Sequence, residues 1–290
     1  MMGATTSKKA QEGQMAQLAT YDKFRESMDP YNLSGVRLTL CDGTKTFFVH
    51  GGRRDGATIS YVGTMDDGRS RVLLLNPTGM STWGHDWETV VSRLPATLEL
   101  LPYYGRVCVE HVDAIVTCDV RVLTRARVAG WPNKNRVRAL RDVVSALRRL
   151  HTGAGERYVH GTTWTAQYVQ DNDGRVYFTG LPSIRTEEEA VATRVAVKRE
   201  TVFRMQSDVI GVLCVAMGWF GGTGRLDATY EVIVDYLEAV KGVVPADAPV
   251  RGIFAAHGVP ALGPVFGVVL DGGLSGVPDY DKLLGLIDVM

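Results

Sequence analysis

The stretch from Arg157 to Ser183, RYVHGTTWTAQYVQDNDGRVYFTGLPS, constrains this chain more than any other. Strand-forming residues at about Gln167 to Gln170 and Arg175 to Thr179 flank Asp171-Asn172-Asp173-Gly174, a turn sequence, which predicts a short hairpin. Ahead of it, Asn133 to His151 carries Val137, Leu140, Val144, Leu147 and Leu150 at spacings of three and four, the pattern of an amphipathic helix. Behind it, Asp208 to Phe220, DVIGVLCVAMGWF, is apolar nearly throughout. A bilayer-spanning helix needs about 20 residues, so this shorter run reads as a buried helix of a folded unit. With 290 residues, 45% of them hydrophobic and 22% charged, the chain can build a core for two lobes.

Upstream, strand-like runs at Val36 to Cys41, Lys45 to His50, Thr58 to Val62 and Arg71 to Asn76 alternate with turns at Asp42-Gly43 and Asp66-Asp67-Gly68. A helix is expected from about Ser81 to Leu94, with Trp83, Trp87, Val90, Val91 and Leu94 on one face. Tyr104 to Glu110 and Ala114 to Val122 read as a hairpin. Further helices are expected at Tyr230 to Val240, Val250 to Ala256 and Tyr280 to Met290. The division expected is a flexible segment over 1–14, a small lobe with an N-terminal helix over 15–127, and a large lobe over 128–290.

This order of elements resembles that of a protein-kinase core, in which a long helix runs into a His-Arg-Asp loop, a strand carries a metal-binding Asn, and a second strand leads into Asp-Phe-Gly. The chemical groups are absent. Thr162 stands where the catalytic carboxylate belongs, and a hydroxyl is no base near neutral pH. Trp164 replaces the loop Lys, and Gln167 replaces the Asn with a side chain one methylene longer. Thr179, or Phe178 in the shifted register, stands where the second metal-binding Asp belongs, so magnesium has no hard oxygen anchor. The strand that should end in Lys ends in Asn76, there being no lysine between Lys45 and Lys134. The only glycine cluster ahead of it, Gly51 to Gly56, lacks the phosphate-loop spacing and suits a hairpin turn.

The combination of Val159-His160-Gly161, the NDGRVYFTG strand and the apolar helix led by Asp208 resembles the rhoptry-type kinases and pseudokinases secreted by Toxoplasma, in particular the branch without a glycine loop. The resemblance is densest over residues 133 to 220. It implies an α+β, bilobal protein-kinase-like fold: a small antiparallel β lobe with helix C and a mainly helical large lobe. It also implies a catalytically inactive pseudokinase acting as a secreted binding or scaffold protein in the parasitophorous vacuole or cyst wall, without ATP or magnesium. The alternative is an enzyme or nucleotide-binding protein using an unconventional site.

The remaining residues of interest read structurally. His160 is expected to pack beneath its loop, and Asp208 to accept backbone amides from that loop. Glu88 occupies the helix-C glutamate position but has no strand lysine to pair with. Asp171 to Pro182 fails the calcium-loop pattern, with Val176 where Gly and Pro182 where Glu would be needed. Of the four cysteines, Cys214 reads as a buried thiol, and Cys108 and Cys118 would face each other as a disulfide if their hairpin turned at Asp113. Acidic and basic residues balance at 32 each, so the total charge argues for no nucleic-acid partner. From Arg121 to Arg149, however, the basic residues face a single acid, Asp142. Arg136, Arg138, Arg141, Arg148 and Arg149 form either a solvated helix face or a dock for an acidic protein or anionic lipid. No cofactor, metal site or transmembrane segment is expected.

Overall fold

The structure is a computed structural model that describes residues 29–55, 58–75, 83–94, 100–109, 112–153, 156–163, 168–241, 243–273 and 276–290. The expected flexible start and N-terminal helix, and the positions Asn76, Trp164 and Gln167, lie outside the described residues. The chain divides into two compact units, Met1–Gly84 with Tyr103–Asp119, and His85–Pro102 with Val120–Met290. The division therefore falls between Asp119 and Val120 rather than at the expected 127, and a segment ahead of it belongs to the second unit.

The first unit is one antiparallel sheet of β1 (Arg37–Thr39), β2 (Thr46–Asp55), β3 (Thr58–Met65) and β4 (Ser70–Leu75), joined after an excursion by β5 (Tyr103–Val109) and β6 (Val112–Cys118). The strand order is β1-β2-β3-β4-β6-β5. Phe47, Val49, Tyr61, Leu73, Val107 and Val116 are all buried in a common core, at about 1.5–3 kcal/mol for each large apolar side chain removed from water. Irregularities at Val49/Gly51 in β2 and at Tyr103/Gly105 in β5 bend these strands. Gly105 has φ of 150°, and a Cβ there would overlap the Leu40 side chain. That close approach brings the two outer strands together: the Cys41 N–H donates to the Arg106 carbonyl at 2.8 Å. The sheet thus becomes a nearly closed barrel whose edges cover each other.

This overturns the expected protein-kinase-like fold. The main sheet is a six-stranded, barrel-like antiparallel sheet. The expected helix C, α1 (Trp83–Arg93), falls from His85 onward in the other unit, with Trp87 and Val90 buried. The molecule is mixed α/β. Alternation of apolar residues located the strands but carried no record of the two bulges that curl the sheet. Helical periodicity likewise showed that α1 has an apolar face without showing which unit receives it.

The second unit opens with β7 (Val120–Val122), α2 (Arg125–Ala129) and α3 (Asn133–Thr152). β8 (Tyr158–Val159) follows, then the hairpin β9 (Tyr168–Asp171) and β10 (Val176–Phe178), in sheet order β10-β9-β7. Its turn is made as the residues dictate: Asp171 Oδ1 accepts the N–H groups of Asp173 and Arg175, and Gly174 takes a left-handed φ of 82°. β11 (Arg185–Thr186) pairs with β8 and leads into α4 (Glu187–Val197). Thr186 and Glu189 close a reciprocal cap there, each side chain accepting the other's backbone N–H. α5 (Met205–Trp219) is buried almost all round and packs against α3, α6 (Leu226–Val240) and the later helix Leu262–Asp271. After α7 (Ile253–Ala256), that helix is α8, and α9 (Tyr280–Asp288) ends the chain against α3.

Candidate functional site

Asp208 stands in the first turn of α5, where the helix dipole favours a negative charge. It is 1% exposed. The His160 N–H donates to its Oδ2 and the Gly161 N–H to its Oδ1, each at 2.7 Å. His151 Nε2 lies 3.0 Å from Oδ2. The other ring nitrogen of His151 meets the Tyr280 hydroxyl at 2.5 Å. Burial, reinforced by the Asp208 charge, raises that hydroxyl's pKa well above its ordinary value, so Tyr280 stays protonated and donates. His151 Nε2–H then donates to Asp208. Thr163 completes the anchor by donating its hydroxyl to the Asp208 backbone carbonyl at 2.7 Å. A buried carboxylate is tolerated because three donors surround it.

The loop held by these bonds carries the positions where catalytic groups were sought. Thr162 Oγ1 donates to Ser183 Oγ at 2.7 Å, and Ser183 Oγ donates to the Gly180 carbonyl at 2.7 Å, so this chain of hydroxyls ends on backbone. His160 is fully buried, and burial pushes its pKa down, so the ring is neutral. Its Nδ1 faces the Thr162 N–H at 3.4 Å, and the ring sits edge-on to Phe178 at 4.8 Å. Gly161 has φ of 81°, and a Cβ at that position would run into the Phe203 ring. Thr179 is buried at the end of β10, and Glu88 is partly buried on α1.

The arginines of α3 divide into two sets. Arg136 donates to the carbonyls of Trp131 and Ala129, and Arg138 reaches the Asp173 carbonyl at 3.5 Å. Arg148 pairs with Asp281 at 2.9 Å. Arg141, paired with Asp288 at 2.7 Å, also lines a cavity of about 160 Å³ together with Asp142, Ser145, Arg149, Arg175 and Tyr177. Burial pushes the Asp142 carboxyl pKa up, although the Val176 N–H and the charges of Arg138, Arg175 and Arg141 pull the other way. Three guanidinium groups thus converge around one half-buried carboxyl. The spacing of Arg141, Ser145 and Arg149 at intervals of four was a readable sign of a shared helix face. The addition of Arg175 and Tyr177 was not, because it depends on how the hairpin lies on α3.

The expected Cys108–Cys118 disulfide is not supported by the register. Cys108 lies opposite Asp113, and Cys118 lies opposite Arg71 on the far side of β6. Cys118 lies five positions along the strand from Asp113, about 16 Å at ~3.3 Å per residue, against a Cα separation of at most about 7 Å for a disulfide. Val109 pairs with Val112, so the register centres two and a half residues earlier than Asp113, where the disulfide required it.

Among the described residues, no group of three or more His, Cys, Asp or Glu side chains is placed to hold a metal ion, and no helix is long and apolar enough to cross a membrane. No protein-family model matches the chain, and no curated protein sequence matches it.

Proposed function

We propose that this chain is a non-catalytic binding protein that holds an acidic protein segment at the arginine-lined cavity between α3 and β10. The observation that carries this reading is the convergence of Arg141, Arg149 and Arg175 on one cavity. Guanidinium groups are suited to it, since their planar donors match carboxylates in pairs. The loop over Asp208 supports the non-catalytic half of the reading. Its buried acid is occupied by backbone and imidazole donors, its imidazole is neutral and buried, and its hydroxyls lead to a carbonyl. A general base needs an accessible lone pair within reach of substrate, and none of these groups offers one.

Calorimetric titration with an Asp/Glu-rich peptide tests the proposal. Binding should weaken steeply with salt, and the double variant Arg141→Glu, Arg149→Glu should lose at least about tenfold in affinity through like-charge repulsion. Wild-type protein that ignores the peptide at low salt, or a double variant that binds it equally well, would overturn the assignment. Phosphatidylserine vesicles form the comparison arm: tighter binding to vesicles than to the peptide would replace the acidic segment with a lipid surface.

A further inference from the structure

A second cavity, of about 390 Å³, lies in the helical unit where the C-terminal ends of α6 and α8 meet the loop ahead of α5. Small-molecule sites are commonly of this size. Its walls are tied to one another. Arg199 pairs with Glu231 and Asp235 on α6, and the Thr201 N–H donates to Glu238 Oε1, which fixes the loop to that helix. On the other side, Arg251 donates to the carbonyls of Pro245 and Val244 and to Asp271 at the end of α8. Thr201 lines the cavity and is fully buried, and among the described residues its hydroxyl has no hydrogen-bond partner. A buried hydroxyl left so is unfavourable, and a polar atom of a ligand would satisfy it.

The charges around the space select the ligand. Of the lining groups, Glu200 is paired with Arg204 at 3.1 Å, and Asp271 with Arg251 at 2.8 Å. The balance left is Glu238, partly buried, against Lys241, which is exposed to water. Two helices also end here, α6 at Val240 and α8 at Asp271, and each C-terminus carries about half a negative charge. Together they favour a cation over an anion. Leu237, buried on α6, and the exposed Val243 supply an apolar side. We infer that this cavity binds a small primary ammonium ion with an alkyl chain. Its ammonium group donates to the Glu238 carboxylate and the Thr201 hydroxyl oxygen, and its chain lies along Leu237 and Val243.

The test is calorimetric titration of the full chain with n-hexylamine hydrochloride, with 1-hexanol and hexanoate as comparisons of equal chain length. The amine should bind at least about tenfold more tightly than either comparison. Glu238→Gln keeps an acceptor for the Thr201 N–H but removes the charge, and should lose about tenfold in amine affinity. Thr201→Val, of nearly the same shape, should weaken amine binding by about threefold or more, without lowering the thermal midpoint of the ligand-free protein. Lys241→Gln, which removes the opposing cation, should bind the amine at least as tightly as wild type. The inference is overturned by no detectable binding at millimolar amine, by 1-hexanol or hexanoate binding as tightly as the amine, or by unchanged amine affinity in either Glu238→Gln or Thr201→Val. Weaker binding by Lys241→Gln would also overturn it, as would a lowered midpoint in Thr201→Val, which would mean that the hydroxyl is already satisfied.

Discussion

The two units solve the problem of a stable interior in opposite ways. In the barrel-like sheet the fully enclosed large side chains include Phe47, Tyr61 and Leu73, and backbone hydrogen bonds run strand to strand. In the helical unit a charged side chain, Asp208, sits at the centre, and the elements around it are joined by what they donate to it: the His160 loop, α3 through His151 and, through His151, α9. An apolar core loses stability gradually as methylenes are removed. A buried carboxylate surrounded by donors fails sharply, because every donor left behind is itself unsatisfied.

The largest expected effect follows from that contrast. Asp208→Ala should cost about 3–5 kcal/mol by stranding the His160 and Gly161 amides and the His151 ring. Hydrogen exchange at those two amides should accelerate by orders of magnitude, while the β3 and β4 amides keep their protection. Equal acceleration in both units would break the comparison, since the barrel would then depend on the hub.

Leu73→Ala should cost about 2–4 kcal/mol by leaving a cavity. The loss, read from denaturant unfolding, should appear in barrel amides, and an unchanged midpoint would mean that the core relaxes around the deletion. Gly105→Ala should cost about 1–3 kcal/mol, from its φ of 150° and from displacement of Leu40. Loosening of the β1 and β5 amides ahead of all others would sharpen the assignment of the seam.

The smallest effect concerns the α4 cap. The Thr186 N–H, foremost, holds the Glu189 carboxyl pKa below its ordinary value, and Arg93 adds to this against a desolvation penalty. A carboxyl depressed on folding contributes stability that is present above its unfolded pKa, about 4.3, and is lost as pH falls through the folded value. Glu189 is 46% exposed, so solvent screening keeps the whole contribution at or below about 1 kcal/mol. Wild type and Glu189→Gln should therefore differ in midpoint near pH 7 and converge toward pH 3. A constant difference would assign the effect to packing rather than to charge.

How much of this was legible depended on how local each signal is. The hairpin at Asp171 to Gly174 could be read because its turn residues have no competing use, and α3 because its apolar face repeats over many turns. Asp208 stood out because an acid at the head of an apolar helix must find donors. Tyr280, which joins Asp208 only through His151, did not, since it reaches that ring across 129 positions of chain. The barrel was misread because its closure rests on bulges and on Gly105 beneath Leu40, features with no periodic signature. The same blindness misplaced the Cys108 pairing: a hairpin register centred two and a half residues earlier changes every partner along the ladder. The arginine cavity was half legible, through the spacing on α3 but not through Arg175.

The most direct test of the non-catalytic reading is the thermal midpoint of the protein with millimolar ATP, with and without magnesium or manganese. A ligand at 100 times its Kd adds about 2.7 kcal/mol to the folded state. The expected result is that adding the metal ion leaves the midpoint where ATP alone puts it. A metal-dependent rise that a chelator reverses would contradict the reading, because it would require an oxygen-ligand site able to hold a metal–nucleotide complex.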